Sequence, residues 1–278
     1  MTKKVIIFGA GYHGRNALRS CKKKNMRVLF FVDNAKKLIS KKILGKKVYN
    51  PKILKTSNFD SIIVSGRYIN QIFKQLKEFN ISKKKILFWG KKELKLPKNL
   101  LEKRAKEVYF GLKIISDYLK NHKIKFWLDL GSLLFISRNQ SLALTSDIDL
   151  LVEFKDYRRL QKICQKICFE NRYFKISKKK VYKSKILKKE KITQLTIIIS
   201  KKNNFDYEPA IFEFNLLVSK KNKFENLAKR RIYKTNYWQS QDFIDHKKFI
   251  YPVPIKRNEY LKTLYGSNWR AEKNFFLN

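Results

Sequence analysis

The chain has 278 residues, 44% of them hydrophobic, and 65 Lys and Arg against 22 Asp and Glu give a formal net charge of +43. This length predicts two domains of ordinary size. No stretch approaches the roughly 18 uncharged apolar residues of a membrane span, and the first residues run straight into a strand and a glycine-rich turn, unlike a signal peptide. Three cysteines without a CxxC spacing argue against disulfides and zinc, and predict reduced thiols in the cytoplasm.

The positive charge is carried mainly by lysine, with 52 Lys and 13 Arg. Recognition of phosphates and bases favours Arg, because its planar guanidinium can bind two acceptors at once. The lysines are also spread along the whole chain without a cluster. This distribution favours a chain-wide compositional bias, so we expect no nucleic-acid partner. A surface selected for polyanions is the alternative.

The first third of the sequence alternates apolar strands with amphipathic helices. Helices are predicted at about 15–24 and 68–79, and strands at Val5–Phe8, Val28–Val32, Ser61–Ser65 and Lys85–Trp89. This alternation indicates a parallel sheet with both faces covered. Residues 90–101 contain lysines and a proline without periodicity, which predicts a linker there. The predicted domains are therefore 1–95 and 100–278.

A glycine-rich turn follows the first strand and precedes the first helix. Gly9, Gly11 and Gly14 have the GxGxxG spacing, and Asp33 ends the second strand, where an acid that binds a ribose belongs. The helix N-terminus after such a turn attracts a phosphate. The pattern predicts a Rossmann-like domain. Glycines that serve only the fold are the alternative.

This first unit resembles the small N-terminal domain of bacterial sugar acyltransferases. The resemblance is carried by Phe-Gly-Ala-Gly-Tyr-His-Gly from Phe8, Phe-Val-Asp-Asn from Phe31 and Ile-Leu-Gly-Lys-Lys-Val-Tyr from Ile43. It covers about 90 residues. The resemblance implies that the domain holds a nucleotide or nucleotide sugar, with Gly9, Gly11, Gly14 and Asp33 as its binding residues.

The second part of the sequence mixes helices with β-rich segments. A helix is predicted at Leu101–Asn121, a strand at Ile124–Leu128, and a helix that Asp156 caps and that ends near Cys168. β-rich segments follow at 192–200 and 210–219, and a short helix near 258–264. The lysine-rich stretch 177–191 is expected to be a solvated hairpin or loop.

Two motifs in this part predict a phosphate and metal site. Gly131 and Ser132 directly follow a strand, and Asp147 and Asp149 are spaced to share one face of the next strand. Two such close carboxylates favour a cation between them, and hard oxygen ligands suit Mg²⁺ (or Mn²⁺). Gly131 lets a phosphate approach the backbone, and Ser132 can bind its oxygen.

Other residues complete the predicted site. Glu213 lies among apolar residues on a predicted strand and is favoured as the third carboxylate over Asp206 and Glu208, which lie in a loop-like stretch. Arg138 can neutralise phosphate charge. Asp147, Asp149 and Glu213 are therefore the candidate catalytic residues. Gly131, Ser132 and Arg138 are the candidate substrate-binding residues.

The order of these motifs resembles the nucleotidyltransferase fold, and within it the LicD family, which includes fukutin-like proteins. The similar segments are Trp127-Leu-Asp-Leu-Gly-Ser-Leu-Leu134, Arg138, Ser146-Asp-Ile-Asp-Leu150, Tyr251-Pro-Val-Pro254, Tyr260-Leu261 and Tyr265-Gly-Ser-Asn-Trp269. Ser132 stands where the family commonly has Thr, and Leu144-Thr-Ser146 stands where it often has a Trp and a further acid. The fold expected for the chain is thus α/β: a Rossmann-like parallel sheet, then an α+β nucleotidyltransferase-like domain with a mixed sheet.

The family resemblance also implies an activity. Its members transfer a phosphorylated alcohol, such as phosphocholine or ribitol phosphate, from a CDP-linked donor to a glycan. The implied partners are a CDP-alcohol donor and a glycan or lipid-linked sugar acceptor of surface polysaccharide. The protein is then expected in the cytoplasm, with basic surface available for peripheral contact with the inner membrane. The alternatives are an RNA- or nucleotide-modifying nucleotidyltransferase and a non-catalytic nucleotide-sugar-binding protein.

Overall fold

The computed structural model of the protein describes residues 2–65, 68–90, 93–94, 96–187, 190–199, 207–227, 231–246 and 249–271. Two compact units divide the chain between Lys98 and Asn99. In the part of the chain that the structure describes, no helix is long and apolar enough to cross a membrane.

The first unit is built on a six-stranded sheet with the strand order β3-β4-β2-β1-β5-β6. All neighbouring strands are parallel except the β3–β4 pair, which is antiparallel. The elements in chain order are β1 Lys4–Phe8, α1 Tyr12–Lys23, β2 Arg27–Val32, β3 Lys42–Ile43, β4 Lys46–Tyr49, β5 Ser61–Ser65, α2 Ile69–Glu78 and β6 Ile86–Trp89. The four apolar strands were all predictable from the sequence. The short β3–β4 hairpin lies in a lysine-rich connection whose pattern did not indicate strands.

The central strand β1 is buried on both faces. Val5 and Ile7 pack in one core with residues of α1, while Ile6 and Phe8 pack in another with residues of α2. Because successive side chains of a strand point to opposite faces, an uninterrupted apolar run serves a sheet covered on both sides. This arrangement confirms the predicted Rossmann-like class of the first unit.

The described residues of the second unit form a seven-stranded mixed sheet and four α-helices. Its elements are α3 Lys98–Asn121, β7 Phe126–Leu128, α4 Leu130–Ser137, β8 Ile148–Glu153, α5 Tyr157–Glu170, β9 Phe174–Lys183, β10 Glu190–Ile199, β11 Ile211–Lys220, β12 Lys223–Asn226, β13 Arg231–Tyr233, β14 Gln241–His246, β15 Phe249–Pro254 and α6 Arg257–Tyr265. Strands β13-β12-β11-β10-β9 follow one another antiparallel, and β8 joins β11 in parallel and β7 antiparallel. A separate hairpin is formed by β14 and β15. The predicted α+β class with a mixed sheet is confirmed.

Close helix–sheet packing holds this unit together. A β-carbon at Gly111 of α3 would lie 2.4 Å from the Ile199 side chain and 2.6 Å from the Phe212 ring, so a larger residue there would displace these side chains or the helix. Around the end of the chain, the rings of Tyr233, Trp238 and Tyr260 meet edge to face, with centroids 5.2–5.5 Å apart. These aromatic contacts bring α6 into the same core as β13.

Two local predictions can be compared with the structure. Asp156 does precede helix α5, but its side chain makes no capping hydrogen bond; its carboxylate pairs instead with Arg159 at 3.0 Å. The predicted cap position is therefore confirmed, but the side-chain hydrogen bond of a cap is replaced by an ion pair with a guanidinium one turn along the helix. The sequence predicts a hairpin or a loop for the stretch 177–191. Its described residues belong to the β9–β10 hairpin. Lys188 and Lys189 lie outside the described residues.

We expect Gly14→Ala to destabilise the first unit by about 1–3 kcal/mol, as overpacking does. A β-carbon at Gly14 would lie 1.8 Å from the Gly9 carbonyl oxygen, so the α1 backbone would have to move. Urea unfolding followed by circular dichroism measures the loss. Gly11→Ala is the control, because a β-carbon there meets nothing within 4 Å. Equal losses in the two variants would contradict the packing role of Gly14.

Alkaline pH should destabilise the second unit through its tyrosines. Burial raises the pKa of Tyr251 above the ordinary tyrosine value of 10.0. Above that pH the unfolded chain loses a phenolic proton that the folded chain keeps, so the stability that is complete below it declines as pH rises. Tyr233 behaves likewise, since burial and the charge of Asp129 raise its pKa to about 12.

We expect Tyr251→Phe to make this decline shallower by up to about 1.4 kcal/mol per pH unit. Within the described part of the chain, the buried Tyr251 hydroxyl has no hydrogen-bond partner. Its removal at neutral pH should therefore leave the free energy of unfolding unchanged or higher. Urea titrations at a series of pH values above neutrality test this, with the exposed Tyr173→Phe as control. A slope that Tyr251→Phe leaves unchanged would refute the assignment.

Candidate active site

Two neighbouring parallel strands present the predicted carboxylates at one place in the sheet. In the pairing of β8 with β11, Asp149 stands directly opposite Glu213. Residues paired in this way project from the same face of a sheet. Asp147 immediately precedes β8, and its carboxylate accepts a hydrogen bond from the Ser146 hydroxyl at 2.6 Å. The structure thus brings all three predicted carboxylates to one end of the β8–β11 pair.

A chain of amides orients Asp149, which is buried. Its Oδ1 accepts from Asn215 Nδ2 at 3.2 Å, and Asn215 Oδ1 accepts from Gln194 Nε2 at 3.0 Å. The same Gln194 nitrogen donates to Glu213 Oε2 at 2.6 Å. The two carboxylates are therefore linked through neutral donors, which lower the cost of placing like charges close together.

The first turn of α4 lies against Asp149. A β-carbon at Gly131 would lie 3.5 Å from Asp149 Oδ2, so glycine keeps the space before that oxygen open. Leu130 has a φ of 46°, a left-handed conformation that costs a non-glycine residue energy and is found at functional turns. Ser132 is fully buried, and its Oγ accepts from the Asp149 backbone N–H at 2.8 Å. In this structure Ser132 ties α4 to β8; its predicted role as a phosphate ligand stays a prediction.

Helix α4 is held at both ends by the last part of the chain. At its start, the fully buried Asp129 accepts from the Tyr260 hydroxyl at 2.6 Å and from Asn226 Nδ2 at 2.8 Å. At its end, Arg138 donates to the backbone carbonyls of Trp269, at 2.8 Å through Nε, and Ala271, at 2.6 Å through Nη2. We call residues 257–271 the closing segment. The guanidinium of Arg138 is engaged by this segment, and binding of a donor phosphate by it stays a prediction.

Tyr265 of the closing segment borders the site. Burial and the negative charges of Asp149 and Asp129 raise its pKa, and the positive charge of Arg138 opposes this. Its phenol therefore stays protonated and able to donate across the physiological pH range.

The carboxylate and amide oxygens at this site are of the type that binds a divalent cation, but they do not surround a single point. Among the described residues, no group of three or more His, Cys, Asp or Glu side chains is close enough to hold a metal ion. Glu213 is turned to Gln194, and Asp149 to Asn215. Within the same described part, the buried Gln194 Oε1 has no hydrogen-bond donor, and a buried oxygen of this kind suits a cation or a water. Carboxylate and amide oxygens are the ligands that Mg²⁺ prefers.

The glycine-rich turn of the first unit has the predicted form. Gly9 has a φ of 97°, which favours glycine, and Gly14 allows the close contact between helix and turn. Gly11 faces open space. Asp33, however, is used by the fold: Oδ2 accepts from Ala10 N at 2.7 Å and Oδ1 from Ala35 N at 2.8 Å. Asp33 thus fixes the turn, and ribose binding by it stays a prediction.

Sequence reasoning predicted no site role for Asp129, Gln194, Asn215 and Tyr265, although Asp129 and Tyr265 lie in the segments that resemble the LicD family. A signal for Asn215 was present, because it lies two residues after Glu213 in an otherwise apolar strand and so shares its face. Asp129 comes directly after strand β7, which was a usable signal. Its hydrogen-bond partners Asn226 and Tyr260 could not be predicted, because they are about 100 or more residues away in the sequence. Of the candidates for a third carboxylate, Asp206 lies outside the described residues.

Comparison with known protein families finds a match within the first unit. A family profile described as "C2185-like, N-terminal" matches residues 1–87. No curated protein matches the chain. A UDP-D-quinovosamine 4-dehydrogenase from Vibrio fischeri is 20% identical, with a TM-score of 0.29, over 32% of this chain and 80% of that chain.

A lincomycin-bound lincosamide antibiotic adenylyltransferase is 15% identical, with a TM-score of 0.35, over 59% of this chain and 86% of that chain. A probable dehydrogenase from Thermotoga maritima is 8% identical, with a TM-score of 0.24, over 90% and 81%. At these TM-scores the matches carry no functional argument, so function has to be inferred from the site's own residues.

We expect Arg138→Gln to loosen the closing segment. The substitution removes charge-assisted hydrogen bonds to two backbone carbonyls, which contribute roughly 1.5–3 kcal/mol each at most. Hydrogen exchange of the amides of residues 266–271 should become faster, while that of β8 stays slow. Arg270→Gln is the matched control, since this exposed guanidinium lies over the Trp269 ring. Unchanged exchange in Arg138→Gln would show that the segment is held by packing alone.

Proposed function

We propose that the second unit is a LicD-type phosphotransferase of the nucleotidyltransferase fold. It would transfer a phosphorylated alcohol, of the phosphocholine, ribitol phosphate or glycerol phosphate type, from a CDP-linked donor to a sugar hydroxyl. The observation that carries the proposal is the register of Asp149 opposite Glu213, with Gly131 beside Asp149 and Asp147 two residues before it. Three carboxylates beside a glycine-containing helix start suit a substrate that carries phosphates.

The start of α4 is the place proposed for the donor phosphates. Backbone N–H groups at a helix N-terminus and the partial positive charge there attract anions. Gly131 leaves room for a phosphate oxygen beside Asp149. Repulsion between the donor's phosphates and the nearby carboxylates has to be compensated, which Mg²⁺ (or Mn²⁺) held by Asp147 and Asp149 would do by neutralising charge on the phosphoryl oxygens.

The reaction breaks one bond and forms one bond at phosphorus. An oxygen of the acceptor hydroxyl bonds to the phosphorus that carries the alcohol, and the phosphoanhydride bond to CMP breaks, so that CMP leaves. The acceptor's proton needs a base, and Glu213 is the proposed one. Its Oε2 is held by Gln194, which fixes the direction of the carboxylate on β11.

The closing segment shields this chemistry from water in our proposal. Tyr265 stays protonated beside Asp149, so it can donate to a phosphate oxygen without adding charge. The first unit is proposed to bind a nucleotide or nucleotide sugar at the turn of Gly9, Gly11 and Gly14, or to dock the acceptor. An enzyme of this kind would act in the cytoplasm, in contact with the inner membrane where lipid-linked acceptors are built.

The test is CMP release from CDP-choline, CDP-ribitol and CDP-glycerol with Mg²⁺ and a sugar acceptor. We expect CMP from one of the three, lost on chelation and restored by Mg²⁺. Asp149→Asn should lower kcat by at least about 10²-fold, the scale typical of charge stabilisation at a phosphoryl group. Glu153→Gln, on the same strand but paired with the exposed Lys155, is the control.

Two results would overturn the proposal. One is release of pyrophosphate from a nucleoside triphosphate with no CMP from any CDP donor, which would favour nucleotidyl transfer. The other is full turnover by a correctly folded Asp147→Ala or Asp149→Asn protein.

A further inference from the structure

A cleft lined by lysines lies at the opposite end of β11 from the carboxylates. Its volume is about 870 Å³, and Lys185, Lys220, Lys221, Lys223 and Ile232 are among its lining residues. Glu213 and Lys220 are on the same strand, seven residues apart, which corresponds to about 23 Å of extended chain. The cleft is therefore distinct from the carboxylate site and within reach of a chain-like substrate bound there.

A buried carboxylate fixes one wall of this cleft. Glu225 is 1% exposed and accepts from Ser184 Oγ at 2.7 Å, Lys185 N at 2.9 Å and Ile186 N at 3.0 Å. These three hydrogen bonds compensate the buried charge of Glu225 and fix the conformation of the turn after β9. Lys185 is exposed on this turn and lines the cleft, and the hydrogen bond of its backbone N–H to Glu225 fixes its backbone.

The β11–β12 turn also lines the cleft, and its lysines are unfavourable for folding. Lys220 and Lys223 stand directly opposite each other in the β11–β12 pair, and like charges in that position repel. Lys221 and Asn222 form the turn between them with φ angles of 45° and 56°. Turns of this kind favour Asn or Gly at both positions, and lysine at the first is strained. Charge thus disfavours Lys220 and Lys223, and backbone conformation disfavours Lys221. An anion bound between these lysines would relieve the repulsion.

We propose that this lysine cleft binds phosphate groups of a polyanionic acceptor chain. The inference rests on the proposed phosphotransferase function, which supplies an acceptor that extends from the carboxylate site. A concave cleft suits a narrow phosphate-bearing chain better than a flat membrane surface, whose headgroups would contact its rim. Lysine is a suitable ligand because its mobile ammonium group follows a phosphate without fixed geometry.

Titration calorimetry with inorganic tripolyphosphate, in the absence of any CDP donor, tests the cleft. The cleft variant is Lys185→Glu, Lys221→Glu and Lys223→Glu together. The matched control, Lys103→Glu, Lys106→Glu and Lys120→Glu, changes the net charge equally on exposed positions of α3. We expect the cleft variant to weaken binding by at least about tenfold, with a smaller dependence on salt, and the control to change it little.

Several outcomes overturn the proposal. Equal weakening in both variants would mean that the chain-wide lysine excess binds anions without a site. Binding to anionic phospholipid vesicles or to single-stranded RNA that is stronger than to tripolyphosphate and equally sensitive to the cleft variant would assign the cleft to those ligands instead. If the charge reversals unfold the protein, the corresponding Lys→Gln triple variants replace them.

Failure of the cleft and failure of the proposed function give different results. Loss of tripolyphosphate selectivity with normal CMP release from a phosphate-free acceptor removes the cleft alone. Selective tripolyphosphate binding by a protein that releases CMP from no CDP donor removes the phosphotransferase and the acceptor assignment, and leaves an anion site.

Discussion

The parallel pairing of β8 with β11 is the constraint on which the rest of the second unit depends. The two strands are 58 or more residues apart in sequence, yet their register alone places Asp149 opposite Glu213. A shift of one residue would move one carboxylate to the other face of the sheet. The apolar neighbours of both residues prevent such a shift, because Ile148, Leu150, Phe212 and Phe214 are buried at the same register.

Several acidic side chains lie near this register, and hydrogen bonds from neutral groups stabilise the buried ones. Asp129 and Asp149 are buried and accept hydrogen bonds from neutral amides and a phenol. Burial and these charges in turn keep Tyr260 and Tyr265 protonated, because their ionisation would add a further negative charge. The resulting centre is rich in oxygen atoms and negative charge, which suits it to a cation and a phosphate together.

The closing segment contacts the helix that lies beside these carboxylates. The Tyr260 hydroxyl donates to Asp129 at the start of α4, and Arg138 at its end donates to the segment's backbone, so the segment holds both ends of the helix beside the carboxylates. In the first unit, Asp33 has a comparable role, since its two oxygens fix the glycine-rich turn. Residues that look like ligands in the sequence thus also stabilise the loops from which a ligand would be bound.

The sequence by itself determined the class of each unit, because apolar periodicity and glycine spacing are local properties. It indicated the strands β1, β2, β5 and β6, the helices α3 and α6, and the motif residues Gly131, Asp147, Asp149 and Glu213. It did not indicate β3 and β4, which are short and lysine-rich, or the partners of Asp129. The tertiary structure decided which carboxylates face each other, that Ser132 and Arg138 hold backbone groups, and that four scattered lysines meet at one cleft. Strand register and long-range hydrogen bonds depend on residues far apart in the chain, and no local pattern specifies them.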